Sequence, residues 1–460
     1  KTQLEKIMVK LLKNKNKLLL VLLFITIIPS KLISNRIVGY YPSWVQNQYP
    51  IGSVDFSTFS HLIHAFAWPN NQGEIISDIG TFNSNFASQV QSQGSKFLLA
   101  LGGWGTAAGF VASTATHEIR SYFISNIIDI VDQYGYDGID IDWEYPQTNE
   151  QRNNLNLFIS ELDSTLNIHN PDLILSMAVP ISNWAGQWYD FFTLNQYIDF
   201  FNAMTYDIHG SWSNDAGHNS PLYPSPPGDI DGSVSTGINY LVNTRGIPNS
   251  KINMGIPFWG KKYTTSEING FFTGNVVDMR YYEIIGLINN GWSYNWDEVA
   301  KCPYLIKDDQ SKIITYDNPL SVQYKCQFAN EMNLGGLMVW ALGYDDHLSI
   351  ESLSQSINDS WLYIDKKWKV PISNNYNLSA YPNPFNSYTI INFDVPNKQY
   401  FSVDVYDING RFNENIFNGI INQGSQNIKW KTKQNKSNGV YIIQLSTLER
   451  TTRKKVVFLK

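Results

Sequence analysis

The sequence predicts an α/β fold, a (β/α)8 TIM barrel, followed by a C-terminal all-β sandwich. Eight short apolar runs alternate with longer stretches of helical or mixed pattern, which is typical of parallel strands covered by helices. After residue 380 the runs become shorter and alternate with polar residues, as in half-buried antiparallel strands. The eight apolar runs are Ile37–Tyr41, His61–Ala67, Lys96–Leu101, Gly138–Trp143, Leu173–Val179, Phe200–Tyr206, Ile252–Pro257 and Gly335–Ala341.

The spacing of the last two barrel strands predicts an insertion. About 80 residues separate the seventh run from the eighth, far more than one connecting helix needs. The stretch contains strand-like and helical pieces. We therefore expect a small α+β insertion at about residues 261–333, on the catalytic side of the barrel, together with the helix that leads to the eighth strand.

These patterns divide the chain into four parts. We expect a signal peptide with upstream residues at 1–34, a barrel at 35–364, a polar linker at 365–380 and a β-sandwich at 381–460. Turn signals such as Asn409-Gly410 and Asn438-Gly439 separate the strands of the last part.

The first part resembles an export signal. Leu18 to Ile28 reads LLLVLLFITII, which is too short to span a bilayer and follows four closely spaced lysines. We expect cleavage among residues 33–35 and no stable membrane span. Because export implies an oxidising compartment and the cysteine count is even, we expect one disulfide between Cys302 and Cys326.

Composition excludes several classes of protein. The 460 residues are 43% hydrophobic and 16% charged, which is too apolar for a disordered chain. The net charge of −6 does not create the positive electrostatic potential that attracts phosphate backbones, so nucleic acid is not the expected partner. An aromatic content of 14% favours a carbohydrate ligand. The histidines and cysteines show no zinc spacing, and we expect neither a metal nor a cofactor.

The segment YDGIDIDWEYP, residues 136–146, carries the most chemical information. Alternate side chains of a strand point to opposite faces, so Asp140, Asp142 and Glu144 share one face. The apolar residues between them would face the helices, so the carboxylates enter the barrel, with Glu144 nearest the mouth where barrel active sites lie. Neighbours on one face are roughly 7 Å apart, near enough for each carboxylate to disfavour ionisation of the next. This pattern is typical of a general acid.

A calcium loop and a solvated acidic patch are two other interpretations of the acidic row. A calcium loop requires a glycine at its sharp turn and polar residues between its ligands, whereas Ile141 and Trp143 stand there. A solvated acidic patch would not alternate so strictly with apolar residues. Both are less consistent with the sequence than a catalytic row.

The form D-x-x-D-x-D-x-E of this segment resembles glycoside hydrolase family 18, the retaining chitinases and their relatives. Three other motifs follow in the order of that family: LALGGW resembles its third-strand motif, MTYDIHGSW its sixth and LMVWALGYDD its eighth. The likeness extends from about Ile37 to Leu353. Two departures are Ala100, where many members carry serine, and Lys261, where related insertions often carry arginine.

The resemblance implies a role for each matched polar residue. Glu144 would protonate the glycosidic oxygen, Asp142 would orient the substrate's N-acetyl group and Asp140 would share charge with Asp142. The acetamido oxygen of the substrate would act as nucleophile, so no second carboxylate is needed. Tyr206 would hydrogen-bond that acetamido group. Asp137, at the other end of the strand, would support the site.

The resemblance also implies a sugar-binding cleft. Trp340 would form the platform under the sugar whose bond is cleaved, and Asp207 and Met204 would contact substrate beside Tyr206. Ordinary core packing is the alternative for the aromatic candidates. The further candidates for substrate binding are Tyr40, Trp44, Phe66, Trp104 and Trp259.

The last part resembles the C-terminal sorting domain of type IX secretion substrates. It opens with YPNPFN, contains the turn YDINGR and includes a GVY strand. The resemblance implies that the secretion machinery is a partner and that the protein is secreted, to the extracellular space or the cell surface. A carbohydrate-binding sandwich is the alternative, although Trp430 is the only tryptophan in this part.

Three functions remain open at this point. The first is a chitinase that cleaves β-1,4 bonds between N-acetylglucosamine units of chitin or chitooligosaccharides. The second is an endo-β-N-acetylglucosaminidase acting on glycoprotein glycans, against which the many aromatic candidates argue. The third is a non-catalytic chitin-binding lectin, against which the presence of Glu144 argues, because lectin relatives typically lack this acid.

Overall fold

The computed structural model describes residues 36–77, 82–226, 229–349, 351–361, 376, 378–395, 399–408, 411–432, 437–447 and 451–460. The expected signal peptide and most of the expected linker lie outside these residues. Within the described part of the chain, no helix combines the length and apolar character that a bilayer crossing requires.

Eight parallel strands close into a barrel, which confirms the predicted fold. The first strand pairs with both the second and the eighth, so the sheet has no open edge among them. A short strand, Ile75–Ser77, runs antiparallel to the second. Each predicted run overlaps one barrel strand; the strands are Arg36–Pro42, His61–Pro69, Lys96–Gly102, Gly138–Asp142, Ile174–Val179, Phe200–Ala203, Ile252–Pro257 and Gly336–Trp340.

Alternation along the barrel strands creates two separate cores. On the first strand, Val38 and Tyr40 point into the barrel, whereas Ile37 and Tyr41 join the larger core between the strands and the helices. The fourth strand follows the same rule, since Ile139 and Ile141 belong to the outer core. The intervening position on that strand, residue 140, therefore opens on the barrel interior.

The outer layer consists of helices whose ends are set by local sequence. The helix His117–Tyr134 begins where the Thr116 hydroxyl accepts a hydrogen bond from the Ile119 amide. It ends at Gly135, whose φ of 72° is left-handed. The helices are Ser84–Ser92, Ala107–Ser113, His117–Tyr134, Asn149–His169, Asn183–Gly186, Phe191–Leu194, Val234–Asn239, Tyr281–Ile285, Pro319–Glu331 and Leu353–Trp361.

The predicted insertion between the seventh and eighth barrel strands is an antiparallel five-stranded sheet with one short helix. It begins at Trp259, only two residues after the seventh barrel strand, and the helix Pro319–Glu331 then leads to the eighth. Its strands are Trp259–Thr264, Thr273–Arg280, Trp292–Asp297, Cys302–Lys307 and Ile313–Thr315.

The C-terminal part is an all-β sandwich, as predicted. A three-stranded and a four-stranded antiparallel sheet enclose a core of their own, separate from that of the barrel. Its strands are Ser379–Tyr381, Tyr388–Val395, Gln399–Asp407, Phe412–Ile421, Gly424–Lys431, Gly439–Ser446 and Thr451–Phe458.

The predicted disulfide between Cys302 and Cys326 is wrong, because both cysteines are free and buried. The Cys302 thiol donates a hydrogen bond to the Ser220 carbonyl, with 3.3 Å between Sγ and O. Cys326 lies in the helix Pro319–Glu331 and packs in the outer core. The two thiols therefore have different neighbours and do not contact each other as a disulfide. An even number of cysteines in the sequence does not show that two of them meet in the geometry that a disulfide requires.

Candidate active site

Asp140 is fully buried inside the barrel and accepts three hydrogen bonds. The Tyr40 hydroxyl donates to Oδ2 at 2.7 Å, while the Ser176 hydroxyl and the Asn202 amide donate to Oδ1 at 2.5 and 3.0 Å. Burial raises the pKa of Asp140 to about 6, although these hydrogen bonds act to lower it. Side chains from the first, fifth and sixth barrel strands thus fix one carboxylate in place.

A chain of polar contacts behind Asp140 fixes the orientation of Asn202. The Asn253 amide donates to Asn202 Oδ1 at 2.9 Å, and Arg36 Nε donates to Asn253 Oδ1 at 3.0 Å. Because Asn202 Oδ1 is occupied as an acceptor, its amide group is directed to Asp140 as a donor. The carboxylate is therefore held by groups whose hydrogen-bonding roles are already determined.

Asp142 ends the fourth barrel strand and keeps one oxygen free. Its Oδ1 is buried without a hydrogen-bond partner among the described residues. Burial, with the charges of Glu144 and Asp140, raises the pKa of Asp142 well above its ordinary value. A buried acceptor left open in this way is suited to receive a hydrogen bond from a ligand.

The glycine pair of the LALGGW motif makes room for the backbone of Asp142. Gly102 has a φ of 128°, and a Cβ there would stand 1.9 Å from the Asp142 carbonyl oxygen. The Gly103 amide donates to that same oxygen at 2.9 Å. A side chain at residue 102 would therefore collide with this oxygen, and Gly103 has a φ of 91°, which residues with a side chain rarely adopt.

Glu144 lies two residues beyond the end of the strand, at the mouth of the barrel. Burial and the charge of Asp207 raise its pKa to about 7, while a hydrogen bond from Tyr145 acts to lower it. A carboxyl group with this pKa keeps a proton near neutral pH and can still release it. The row predicted from the sequence alternation is thus present. Its outermost member, Glu144, is partly buried, whereas the other two are buried.

Tyr206 supplies a hydroxyl beside this row. Burial and the neighbouring carboxylates raise the pKa of Tyr206, so the hydroxyl stays protonated. Within the described part of the chain, this hydroxyl makes one weak hydrogen bond, to the sulfur of Met338 at 3.8 Å. Trp259 meets the Tyr206 ring edge-on at 4.9 Å between ring centroids. The hydroxyl is therefore able to donate to a ligand.

Trp340 ends the eighth strand and forms an aromatic floor with three predicted neighbours. Phe66 stacks on it at 5.4 Å between centroids, and Tyr40 and Trp44 meet it edge-on at 5.5 and 6.2 Å. Trp44 is half exposed, and its indole donates to the Tyr344 hydroxyl at 2.9 Å. Such a floor offers a sugar ring one apolar face.

The insertion brings a cation to the predicted contact Asp207. Lys261 Nζ lies 2.7 Å from Asp207 Oδ1 and 2.9 Å from Asp278 Oδ1. Met204, from the same motif, is partly buried against the inner core. Lys261 therefore pairs with carboxylates of the protein, a role that a point charge fills without the forked geometry of arginine.

Two exposed rings continue the aromatic surface beyond the floor. Trp104 is 77% exposed and Trp184 is 70% exposed, and each meets Tyr145 edge-on, at 6.4 and 5.6 Å between centroids. Trp104 was predicted as a contact, whereas Trp184 and Tyr145 were not. Sequence gives little signal for them, since neither stands in a strand with alternating character.

Asp137 is not part of the carboxylate row. It precedes the fourth strand at the opposite end of the barrel, where it pairs with Lys96 Nζ at 2.9 Å and accepts from the Phe97 amide at 2.9 Å. Ser176 and Asn202 were missed by the sequence analysis. Their signal was present, because each is a polar residue inside an otherwise apolar strand.

Comparison with known proteins finds two families over separate ranges. Residues 36–345 match the family described as "Glycosyl hydrolases family 18", and residues 379–459 match "Secretion system C-terminal sorting domain". The first range contains every residue of the carboxylate row and the aromatic floor. The second coincides with the sandwich.

The individual proteins that this chain resembles include several chitinases. Probable chitinase 10 of Drosophila melanogaster is 31% identical over 351 residues, which cover 68% of this chain and 15% of that much longer protein. A Group IV chitinase of Ostrinia furnacalis in complex with allosamidin is 27% identical, with a TM-score of 0.65 over 71% of this chain and 98% of its own. A Cycas revoluta chitinase variant in complex with (GlcNAc)4 is 27% identical, with a TM-score of 0.65 over 71% and 99%.

Proposed function

The chain belongs to glycoside hydrolase family 18, and on this basis we propose that it is a chitinase that hydrolyses β-1,4 bonds between N-acetylglucosamine units with retention of configuration. The observation that carries this proposal is the row of Asp140, Asp142 and Glu144, which ends at the barrel mouth in a carboxyl group with a pKa of about 7. An acid of this kind is what protonation of a glycosidic oxygen requires.

In the proposed reaction the substrate provides its own nucleophile. Glu144 gives its proton to the glycosidic oxygen while the acetamido oxygen of the substrate bonds to the anomeric carbon and the bond to the leaving sugar breaks. Water then attacks the same carbon, the bond from that carbon to the acetamido oxygen breaks, and the water gives a proton to Glu144, which restores the acid. Two inversions at one carbon leave the β configuration unchanged.

Asp142 and Tyr206 would hold the acetamido group for this attack. The free Oδ1 of Asp142 can accept from the acetamido N–H, and the Tyr206 hydroxyl can donate to the group from the other side. Asp140 acts behind Asp142, because its charge raises the pKa of Asp142 and so helps a proton to stay within the row. When the proton passes from Asp142 to Asp140, the Asp142 carboxylate becomes negative beside the positive charge that develops on the cyclised acetamide and stabilises it.

The proposed substrate is a polymer rather than a single sugar. Trp340 supplies a floor for one ring, and Trp44 and Trp104 extend apolar surface on to exposed positions. The complex of the Cycas revoluta chitinase variant with (GlcNAc)4 supports an oligosaccharide of the same type. Chitin and chitooligosaccharides are therefore the substrate class we assign.

We also propose that the sandwich is an export address. Residues 379–459 match a sorting domain, and their core is separate from that of the barrel. A type IX secretion system is the proposed partner, with the extracellular space or the cell surface as the destination. The expected signal peptide at 1–34 and linker at 365–380 are part of the same proposal.

The function is tested by product analysis. N-acetylglucosamine oligomers of defined length and a high-mannose glycopeptide are incubated with the full chain, and the products are separated and followed by NMR. We expect shorter oligomers released first as the β-anomer, and an intact glycopeptide. Cleavage of the glycopeptide alone would favour an endo-β-N-acetylglucosaminidase, binding without cleavage would favour a lectin, and initial α-anomer would exclude the proposed nucleophile.

A further inference from the structure

We propose that His209, Asp215, Asp229 and Asp231 form a binding site for one divalent transition-metal ion of the Zn²⁺ type. The four residues lie after the sixth barrel strand and outside the carboxylate row. One atom from each of His209, Asp215 and Asp231 falls within 4.8 Å of the others. The proposal concerns metal binding alone and does not depend on the proposed activity.

The imidazole of His209 is held in the manner of a metal ligand. Its ring is fully buried, and Nδ1 lies 3.1 Å from the carbonyl oxygen of His218. Because a carbonyl only accepts, Nδ1 carries the proton, and in the neutral ring Nε2 presents a lone pair. A backbone carbonyl that fixes the tautomer from behind is the usual support of a metal-bound histidine.

The other nitrogen of the ring faces two carboxylates at ion-pair distance but makes no hydrogen bond to them. Nε2 lies 3.1 Å from Asp229 Oδ2 and 3.6 Å from Asp231 Oδ2. Within the described ranges, neither Nε2 nor Asp229 Oδ2 has a hydrogen-bond partner, although both atoms are buried. Two buried polar atoms this close but out of alignment for a hydrogen bond have lone pairs that a cation beside both of them could share.

The separations suit a small cation. Ligand atoms that each lie 2.0–2.2 Å from a tetrahedral Zn²⁺ are roughly 3.3–3.6 Å from one another. The two measured distances from His209 Nε2 lie close to this range, and the 4.8 Å limit for the set requires a contraction of about 1.5 Å at most. Small rotations of exposed carboxylates can supply it.

The charge balance favours a divalent ion over a proton. Three carboxylates surround one imidazole, so even a protonated ring would leave two negative charges uncompensated. A mixed set of one nitrogen and several oxygens suits Zn²⁺ or Mn²⁺ better than Ca²⁺, which prefers oxygen alone.

Such an ion would fasten two distant stretches of chain to each other. His209 belongs to the MTYDIHGSW motif, whose Tyr206 and Asp207 reach the cleft, whereas Asp229 and Asp231 come from a later part of the same connection. Metal binding is then expected to stabilise the fold without entering the chemistry. No short ligand spacing marks the set in the sequence, because the residues meet only through the path of the loop.

The test uses the tag-free full chain, stripped with a chelator and titrated with Zn²⁺ by calorimetry. We expect one ion per chain, with a dissociation constant of about 1 µM or below. Co²⁺ at the same site should give visible d–d absorption, and saturating Zn²⁺ should raise the melting temperature by about 3 °C. Ca²⁺ should neither bind stoichiometrically in calorimetry nor raise the melting temperature.

Variants distinguish this site from adventitious binding. Asp231→Asn, a partly exposed position that should fold, is expected to weaken Zn²⁺ at least tenfold and remove the thermal shift, and Asp229→Asn should do the same. Asp132→Asn is the matched control, because Asp132 pairs with His169 at 2.8 Å on the surface; it should bind as the wild type does. Absence of stoichiometric binding, or equal affinity in Asp231→Asn, would overturn the proposal and leave His209 as an ion-pair partner of the carboxylates.

Discussion

The hydroxyl of Tyr40 donates a 2.7 Å hydrogen bond to Asp140 across the interior of the barrel. Tyr40 lies on the first strand and Asp140 on the fourth, so the contact crosses the space that the strands enclose. The same hydroxyl receives a hydrogen bond from Asn202 at 3.2 Å. It is therefore both an acceptor and a donor, and Asp140 depends on it for one of its oxygens.

Replacing Tyr40 by phenylalanine should damage catalysis more than folding. Loss of the bond leaves one oxygen of Asp140 unsatisfied, so we expect about 1 kcal/mol less stability and a kcat lower by about tenfold. Tyr41→Phe is the control. The Tyr41 hydroxyl donates to the Tyr49 carbonyl at 2.9 Å in the outer core. It should cost similar stability in a denaturant titration with little change in kcat; equal kcat losses in both variants would contradict the assignment.

Glu144→Gln should remove the proton donor while preserving shape. An amide has no proton of suitable acidity, and general acid catalysis is worth about 10²–10⁴-fold, so kcat should fall by at least 100-fold. Affinity for chitooligosaccharides, measured by calorimetry, should persist. Asp137→Asn, at the far end of the same strand, should instead lower stability with little effect on kcat. Turnover of Glu144→Gln above a tenth of the wild-type value would refute the role of this residue.

The pH profile should carry the signature of Glu144. The protonated carboxyl is the active form, so kcat is retained below its pKa of about 7 and is lost as the pH rises through that value. Removing the charge of Asp207, which raises this pKa, should move the alkaline limb to lower pH in Asp207→Asn. Asp278→Asn removes the other partner of Lys261 and serves as control. A limb that stays in place in Asp207→Asn would exclude the coupling.

The two thiols should be hidden rather than oxidised. Burial raises the pKa of Cys302 and of Cys326, so neither forms the reactive thiolate in the native protein. A thiol reagent without reductant should therefore count no cysteines in the folded chain and two after denaturation in guanidinium. A count of zero thiols in the denatured chain would show that the two cysteines form a disulfide after all.

A chain that ends at Trp361 should separate catalysis from export. Because the sandwich has its own core, we expect the shortened barrel to keep its kcat on soluble oligomers and its adsorption to insoluble chitin. In the native host it should remain within the cell envelope. Full-length Glu144→Gln is the matched control, since it should be inactive but exported. Normal export with a large loss of adsorption would favour a carbohydrate-binding sandwich.

The barrel and its acidic row could be predicted because their signals are local. Strand alternation is decided by adjacent residues, so Ile139, Ile141 and the carboxylates between them reveal both faces of the fourth strand. The same reasoning identified the sandwich. Boundaries differ by a few residues, as at the sixth strand, which ends at Ala203 rather than at Tyr206, because the chain leaves the sheet to form the cleft.

Contacts between distant segments could not be predicted in the same way. Ser176 and Asn202 meet Asp140 only because the fourth, fifth and sixth strands are neighbours in the closed sheet. The surroundings of Cys302 and Cys326 depend on how the insertion folds, which cysteine spacing does not report. His209 and Asp231 likewise converge although they are 22 positions apart in the sequence, in a connection without a periodic pattern.

The attachment of the insertion has a consequence for engineering and for evolutionary change. The seventh and eighth barrel strands pair directly, from Asn253 with Gly336 to Pro257 with Trp340, and the insertion occupies only the connection between them. Its length and shape can therefore vary without a change of barrel register. An exchange of residues 259–315 between homologous enzymes should transplant one wall of the cleft, with Trp259 and Lys261, as a cassette. Substrate length preference would then be inherited separately from the chemistry of the carboxylates.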